Sequence, residues 1–146
     1  MIADAPLPQD ITAEAICLGC MIIGDDTPGR PDPYQAVIAR VTADDFFRPA
    51  HRVIFDILCQ MARDDVPMEL AALIAALRNA GHLERVGGED YLEEIVKIPS
   101  AASADHYAGL VAEAAAKRRL IVRAQSVAAQ ARDGTTSAAD LASALQ

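Results

Sequence analysis

Two cysteines stand at the spacing used by thiol redox motifs. Cys17 and Cys20 form a Cys-x-x-Cys pattern inside the apolar stretch of residues 15–22. In redox proteins such a pair lies at the start of a helix, where the helix dipole lowers the pKa of the first thiol. Here the pair falls in the middle of a predicted helix. We therefore interpret both cysteines as small core residues on one helix face, and we keep a thiol redox protein as an alternative function.

The other chemistry-bearing side chains form no catalytic pattern. His51, His82 and His106 are far apart and lack metal-ligand spacing. Adjacent acids such as Asp44 and Asp45 diverge by about 100° on a helix, so we interpret them as helix starts and solvated faces. The motifs GxxxxGK[ST], HExxH, GxSxG and GxGxxG are missing. We predict no catalytic residue, no metal ligand and no cofactor site in this chain.

One basic cluster occurs, consisting of Lys117, Arg118, Arg119 and Arg123. It could form the solvated rim of a protein interface or a DNA contact. The formal net charge of −8 argues against nucleic acid as the main partner. Residues 1–100 carry 17 acidic and 8 basic side chains, whereas residues 101–146 carry 4 and 5. We therefore favour the protein interface and expect no strong direct binding of nucleic acid.

Helices must position these residues, because apolar side chains recur with a period of 3.6 and no strand-like alternation is present. Pro, Gly and Asp signals separate the segments. The predicted helices cover residues 11–23 (capped by Asp10), 33–41 (capped by Asp32), 42–47 as a short turn, 49–63 and 70–79. A further helix follows the turn at Gly87 and Gly88 and is ended by Pro99, the next covers 103–132, and a last helix after Ser137 continues to the end of the chain. The fold class is predicted to be all-α.

The long helix over 103–132 sets the domain organisation. At 1.5 Å per residue it would be roughly 45 Å long, more than a small head can cover. We predict an N-terminal tail (1–10), a globular helical head (11–100) and a helical hairpin (101–146). The hairpin carries apolar side chains on more than one side and many alanines, which favours helix-to-helix association. The candidate protein-interface residues are Tyr107, Leu110, Val111, Arg118, Leu120, Ile121, Val122, Leu141 and Leu145.

Several features of the sequence bear on the compartment in which the protein is found. No stretch reaches the roughly 18 apolar residues that a membrane span needs, and residues 1–10 lack the features of a signal peptide. Three cysteines are too few for a disulfide framework and fit a reducing compartment. We expect a cytoplasmic protein that does not associate with membranes.

Four segments, in order, resemble the N-terminal domain of DnaB-type replicative helicases, and the resemblance extends from about Pro8 to Gln146. These are residues 11–22 (ITAEAICLGCMI), 44–55 (DDFFRPAHRVIF), 77–92 (LRNAGHLERVGGEDYL), and 98–102 (IPSAA) followed by Tyr107-Ala108 and residues 118–121 (RRLI). Each motif is weak alone, but their order and spacing together are specific to that family.

The resemblance implies a non-catalytic collar. In that family the head and hairpin assemble into a dimer or ring through paired hairpins, and primase, and in some cases a helicase loader, docks on this collar. The resemblance also implies a longer parent protein whose following motor domain would use ATP and Mg²⁺. The predicted helix running to Gln146 agrees with a domain of a longer chain. A stand-alone adaptor that binds replication proteins without a motor remains an alternative.

Overall fold

The computed structural model describes residues 5–25, 27–97 and 103–146. Seven α-helices lie within these ranges, with no strand among them, which confirms the all-α prediction. They are α1 (Ile11–Ile23), α2 (Pro33–Ile38), α3 (Pro49–Arg63), α4 (Leu70–Asn79), α5 (Gly88–Lys97), α6 (Ala104–Asp133) and α7 (Ala138–Ala144). Short 3-10 turns at Ala43–Asp45 and Glu84–Val86 precede α3 and α5. None of the helices in the described ranges is long and apolar enough to cross a membrane.

Local signals explain where several of the helices begin. The Asp10 carboxylate accepts a hydrogen bond from the Ala13 amide at 2.9 Å, which satisfies one of the free donors at the start of α1. The Ser137 hydroxyl does the same for α7 by accepting from the Asp140 amide at 3.2 Å. Pro49 begins α3 at a position where its missing N–H costs nothing. The observed bounds of α1, α3 and α4 match those predicted.

Two predicted bounds were wrong. The second helix was expected to reach Val41 but ends at Ile38. The next residues tighten into a turn, in which the Arg40 amide donates to the Val37 carbonyl, and this turn brings Val41 into the core. The last helix was expected to continue to Gln146, but α7 ends at Ala144. The predicted end at Pro99 lies outside the described residues.

Helix α1 is the centre of the head. It is buried on almost all sides, with side chains such as Leu18 and Met21 inaccessible to solvent, because α2, α3, α5 and α6 all pack against it. Phe46 and Leu58 fill the core from the neighbouring segments. A helix that is apolar all round is expected in such a position.

The long helix α6 belongs to both parts of the molecule. Its first half contributes Ala104, Ala108, Val111 and Ala115 to the core, mostly against α1. Beyond residue 119 most of its positions are exposed, and α7 folds back onto this second half. The head and the hairpin thus share one continuous helix, and among the described helices the second half of α6, with α7, lies outside the core.

Candidate functional site

The residues predicted for a protein interface occupy three environments. Four are exposed on the hairpin: Leu110, Leu120, Val122 and Leu145. Two are half-buried: Tyr107 and Ile121. Three are buried within the chain itself: Val111, Arg118 and Leu141. The buried three are at most 8% exposed and offer little side-chain surface to a partner, so the interface prediction rests mainly on the other six.

Side-chain direction on α6 explains this division. Val111 is 1% exposed because it faces α1, whereas Leu110, its neighbour, is 37% exposed. Leu141 is covered because α7 packs its apolar side onto α6. By contrast, Leu120 and Val122 keep 65% and 55% of their surface accessible. Large apolar side chains this exposed and this close together are typical of surfaces that bind another protein.

A groove of about 620 Å³ is lined in part by Val122 and lies between the second half of α6, the end of α7 and the segment before α3. Its apolar lining comes from Leu7, Phe47, Val122, Val127 and Ala144. Most of the lining surface is apolar, and the polar side chains on it are mainly arginines. A groove of this composition suits the apolar face of a helix better than a small polar substrate.

Four arginines also line the groove, namely Arg52, Arg118, Arg119 and Arg123. Arg52 donates through Nε to the Phe46 carbonyl at 2.7 Å, and Arg123 donates to the Ala144 carbonyl. Among the described residues, Arg119 is the one of these four that forms an ion pair, with Asp45 at 2.6 Å. Because carbonyl oxygens carry no net charge, the groove keeps excess positive charge although the chain as a whole is acidic.

Arg118 is not part of a solvated rim, as the sequence had suggested, but a buried clamp. Its guanidinium donates to the Pro8 carbonyl at 2.9 Å and to the Asp45 carbonyl at 2.6 Å. It also lies over the Phe47 ring at 5.3 Å from the centroid. Burial lowers the pKa of Arg118, while the negative charge of Glu14 raises it. The planar, five-donor guanidinium thus fastens α6 to two distant segments of the head.

A second groove, of about 480 Å³, lies along α6 on the other side of residues 5–8. Those residues form one wall, and Ile121, Ala124 and Gln125 form the other. Leu7 lines both grooves. Sequence reasoning missed this role of the N-terminal tail, because Leu7 is an isolated apolar residue between two prolines and belongs to no helix.

A buried polar network connects three elements of the head. The Glu14 carboxylate accepts hydrogen bonds from the backbone amides of Phe47 at 2.8 Å and Arg48 at 3.3 Å, and its Oε1 lies 2.8 Å from His51 Nδ1. His51 Nε2 is 2.6 Å from the Tyr91 hydroxyl, which also accepts from the Arg48 guanidinium at 3.2 Å. Burial raises the pKa of Tyr91. The sequence suggested only a favourable first-turn position for Glu14.

This network is structural rather than catalytic. Glu14 and His51 are 1% and 0% exposed, so no substrate can reach them. Every polar atom has a partner, which is what buried polar groups require. In the described ranges, no cluster of three or more His, Cys, Asp or Glu side chains is placed to hold a metal ion.

The two cysteines of the Cys-x-x-Cys pattern lie in the interior of α1 and are inaccessible to solvent. Burial raises the pKa of Cys17 to about 12, and burial raises the pKa of Cys20 to about 11. A redox cysteine needs an exposed thiolate at neutral pH. The environment therefore disfavours the alternative of a thiol redox protein.

The fold and its main groove define an all-α domain built from a helical head and a helical hairpin. The chain belongs to the DnaB-like helicase N-terminal domain family, whose model matches residues 6–113. It is 36% identical over 115 residues to the replicative DNA helicase DnaB of Mycobacterium leprae, covering 78% of this chain. It is also 36% identical over 132 residues, or 88% of this chain, to the replicative DNA helicase DnaB of Geobacillus stearothermophilus.

A solved structure agrees. The crystal structure of the N-terminal domain of DnaB helicase from Mycobacterium tuberculosis matches with a TM-score of 0.84 and 32% identity, over 95% of this chain and 96% of that one. The aligned part spans only 18% of the M. leprae helicase and 27% of the G. stearothermophilus helicase. The resemblance suggested by the sequence motifs is therefore confirmed at the level of this domain.

Proposed function

We propose that this chain is the non-catalytic collar domain of a replicative DNA helicase, which self-associates through its hairpin and docks primase or a helicase loader. Membership in the family and the identity of its relatives support the helicase context. The observation that carries the proposal is the exposed apolar surface on the hairpin. Leu120, Val122 and Leu145 are each more than half exposed, and Val122 lines the main groove.

The energetics favour helix pairing at this surface. Fully burying a leucine or valine side chain contributes about 1.5–3 kcal/mol, so several exposed residues on one hairpin offer a substantial gain when covered. The alanines of the second half of α6, such as Ala124 and Ala128, allow another helix to approach closely. A second hairpin of the same kind would present the same surface in return, as symmetric dimers require.

Self-association can be tested with charged substitutions on the hairpin. We expect the unaltered chain to show a mass above the 15.5 kDa of one chain in light scattering at high concentration. The double variant Leu120→Glu, Val122→Glu should remain folded and become monomeric. The matched control is Ile23→Glu, Val66→Glu, which places the same charges on two exposed apolar residues of the head. Equal masses for the hairpin variant and the unaltered chain, both above a monomer, would contradict hairpin pairing.

Partner docking needs a separate test. Purified primase from the same source, titrated against the labelled chain, should bind with an affinity that falls when Val127→Glu disrupts the apolar lining of the main groove. Glu113→Gln, an exposed change on the first half of α6, serves as a control. Unchanged binding in the Val127 variant would exclude the main groove as the docking site.

The motor of the parent protein is a further part of the proposal. A gene that encodes a GxxxxGK[ST] motif downstream of residue 146 would support an ATP- and Mg²⁺-dependent helicase. A gene without that motif, combined with measured binding to a helicase or primase, would instead favour the stand-alone adaptor.

A further inference from the structure

The N-terminal segment of residues 5–9, here called the N-terminal strap, lies against the part of α6 that carries the exposed apolar side chains. Leu7 is the residue that lines both the 620 Å³ groove and the 480 Å³ groove. It shares the first groove with Val122 and the second with Ile121. The strap therefore separates two apolar depressions that lie on one helix.

The strap is weakly fastened. Within the described part of the chain, its hydrogen bond to the rest of the molecule runs from the Arg118 guanidinium to the Pro8 carbonyl, at 2.9 Å. Pro6 and Pro8 have no amide hydrogen, so the strap cannot be held by a regular backbone ladder. Leu7 and Pro8 are only half-buried, and Ala5 and Pro6 are exposed. A segment with so few contacts can detach from α6 at a small cost in free energy.

Removing the strap would change the surface of α6. The two grooves would join across the position of Leu7 and form one continuous apolar trough. Arg118 would stay in place, because its bond to the Asp45 carbonyl and its contact with Phe47 do not involve the strap. The underlying helix is thus already shaped to accept another occupant.

We propose that the N-terminal strap is a displaceable cover that competes, within one chain, with the hairpin of a second copy for the apolar face around Ile121 and Val122. The second copy is the occupant because the trough includes Val122, which is 55% exposed and is one of the residues that the proposed hairpin pairing would bury. This inference rests on the proposed self-association. A surface that is occupied within the chain for most of the time binds its partner more weakly, in proportion to the fraction that is uncovered.

The test compares the dimer dissociation constants of four chains by sedimentation. These are the full chain, a chain that begins at Gln9 and so keeps the Asp10 cap of α1, the variant Leu7→Ala, and the control Gln9→Ala on the exposed side of the strap. We expect the shortened chain to associate about three- to tenfold more tightly, since it lacks a competing contact whose main stabilisation is the partial burial of the Leu7 side chain. Leu7→Ala should shift the constant in the same direction by a smaller factor, and Gln9→Ala should not shift it.

The direction in which the dimer dissociation constant changes shows whether the strap is a competing cover. If the shortened chain and Leu7→Ala associate more weakly than the full chain, or equally well, the strap is not a competing cover, while hairpin pairing stands. If neither the full nor the shortened chain associates at any concentration, both the strap inference and the proposed self-association are overturned. Leu7→Ala retains every backbone segment, so it decides the question even if the shortened chain does not fold.

Discussion

Glu14 Oε1 and His51 Nδ1 lie 2.8 Å apart in the centre of the head, with both side chains inaccessible to solvent. Arg48 donates a hydrogen bond to the Tyr91 hydroxyl. Every donor in the network then has an acceptor when Tyr91 donates to His51 Nε2 and His51 Nδ1 donates to Glu14. The carboxylate also accepts the Phe47 amide at 2.8 Å. One carboxylate thus joins α1 to the start of α3 and, through His51, to α5.

The first prediction concerns Glu14→Gln. The glutamine amide nitrogen has the shape of a carboxylate oxygen but cannot accept a hydrogen bond, so a buried donor is left without its partner. We expect the free energy of unfolding in urea to fall by about 2–4 kcal/mol. Glu113→Gln, at an exposed position on α6, should change it by less than about 0.5 kcal/mol. A Glu14→Gln variant as stable as the control would show that the network contributes little.

The second prediction concerns the clamp at Arg118. Arg118→Ala leaves the Pro8 and Asp45 carbonyls without their donor and removes the contact with Phe47. We expect a loss of about 1–3 kcal/mol in the free energy of unfolding, and only partial recovery in Arg118→Lys, since a lysine lacks the planar fork. Arg119→Ala should cost less than about 1 kcal/mol, because that side chain is 62% exposed. Equal losses at the two positions in urea unfolding would contradict this ranking.

The third prediction is a pH dependence from the buried thiols. In the unfolded chain a thiol loses its proton near its ordinary pKa of 9.0, whereas folded Cys17 keeps the proton up to about 12 and Cys20 up to about 11. Because the pKa values are higher in the folded state, the free energy of unfolding is undiminished by these thiols below about pH 9 and decreases as the pH rises towards 11–12. The decrease is at most about 1.4 kcal/mol per pH unit for each thiol.

Unfolding of the unaltered chain and of Cys17→Ala between pH 8 and 10.5 isolates this effect from the titration of other groups. The Cys17→Ala variant should show the shallower decrease. Alkylation by iodoacetamide at pH 8 should also be slow in the folded protein. Rapid alkylation of either α1 cysteine in the folded state would instead support the redox alternative.

The fourth prediction compares two glycines that both have positive φ. A Cβ on Gly87, where φ is +113°, would lie 2.8 Å from the Tyr91 Cβ, whereas a Cβ on Gly134, where φ is +77°, meets nothing within 4 Å. Gly134→Ala should lower the free energy of unfolding by about 1–2 kcal/mol, because an alanine is strained in the left-handed conformation. Gly87→Ala should cost more, since α5 must also shift. Thermal unfolding of the two variants checks the order, and a Gly134 variant that is the less stable of the two would refute it.

Much of the fold could be predicted because its signals are local. The start of α1 depends on Asp10 three residues before the amide it caps, and the start of α3 depends on Pro49 itself. The apolar surplus on the hairpin was also visible as the consecutive residues Leu120, Ile121 and Val122, because no single helix face can bury all three. The early end of the second helix was not predictable in this way, since the burial of Val41 against other elements decides it.

The candidate site depends more on tertiary structure. Leu110 and Val111 are neighbours with the same apolar character, and only the position of α1 decides that Val111 is the buried one. Glu14 has the same side chain as any exposed glutamate, and it became a core residue because the segment of residues 46–51 packs over it.

What the sequence determined by itself, therefore, is a series of helices, their caps, the absence of known catalytic motifs and an unusually apolar hairpin. The three-dimensional packing settled which of those hairpin residues are accessible, that Arg118 is a clamp and that residues 5–8 lie along α6. The reason is the separation of the partners. Arg118 bonds to carbonyls 110 and 73 residues away in the chain, and no local pattern can specify a hydrogen bond across such distances.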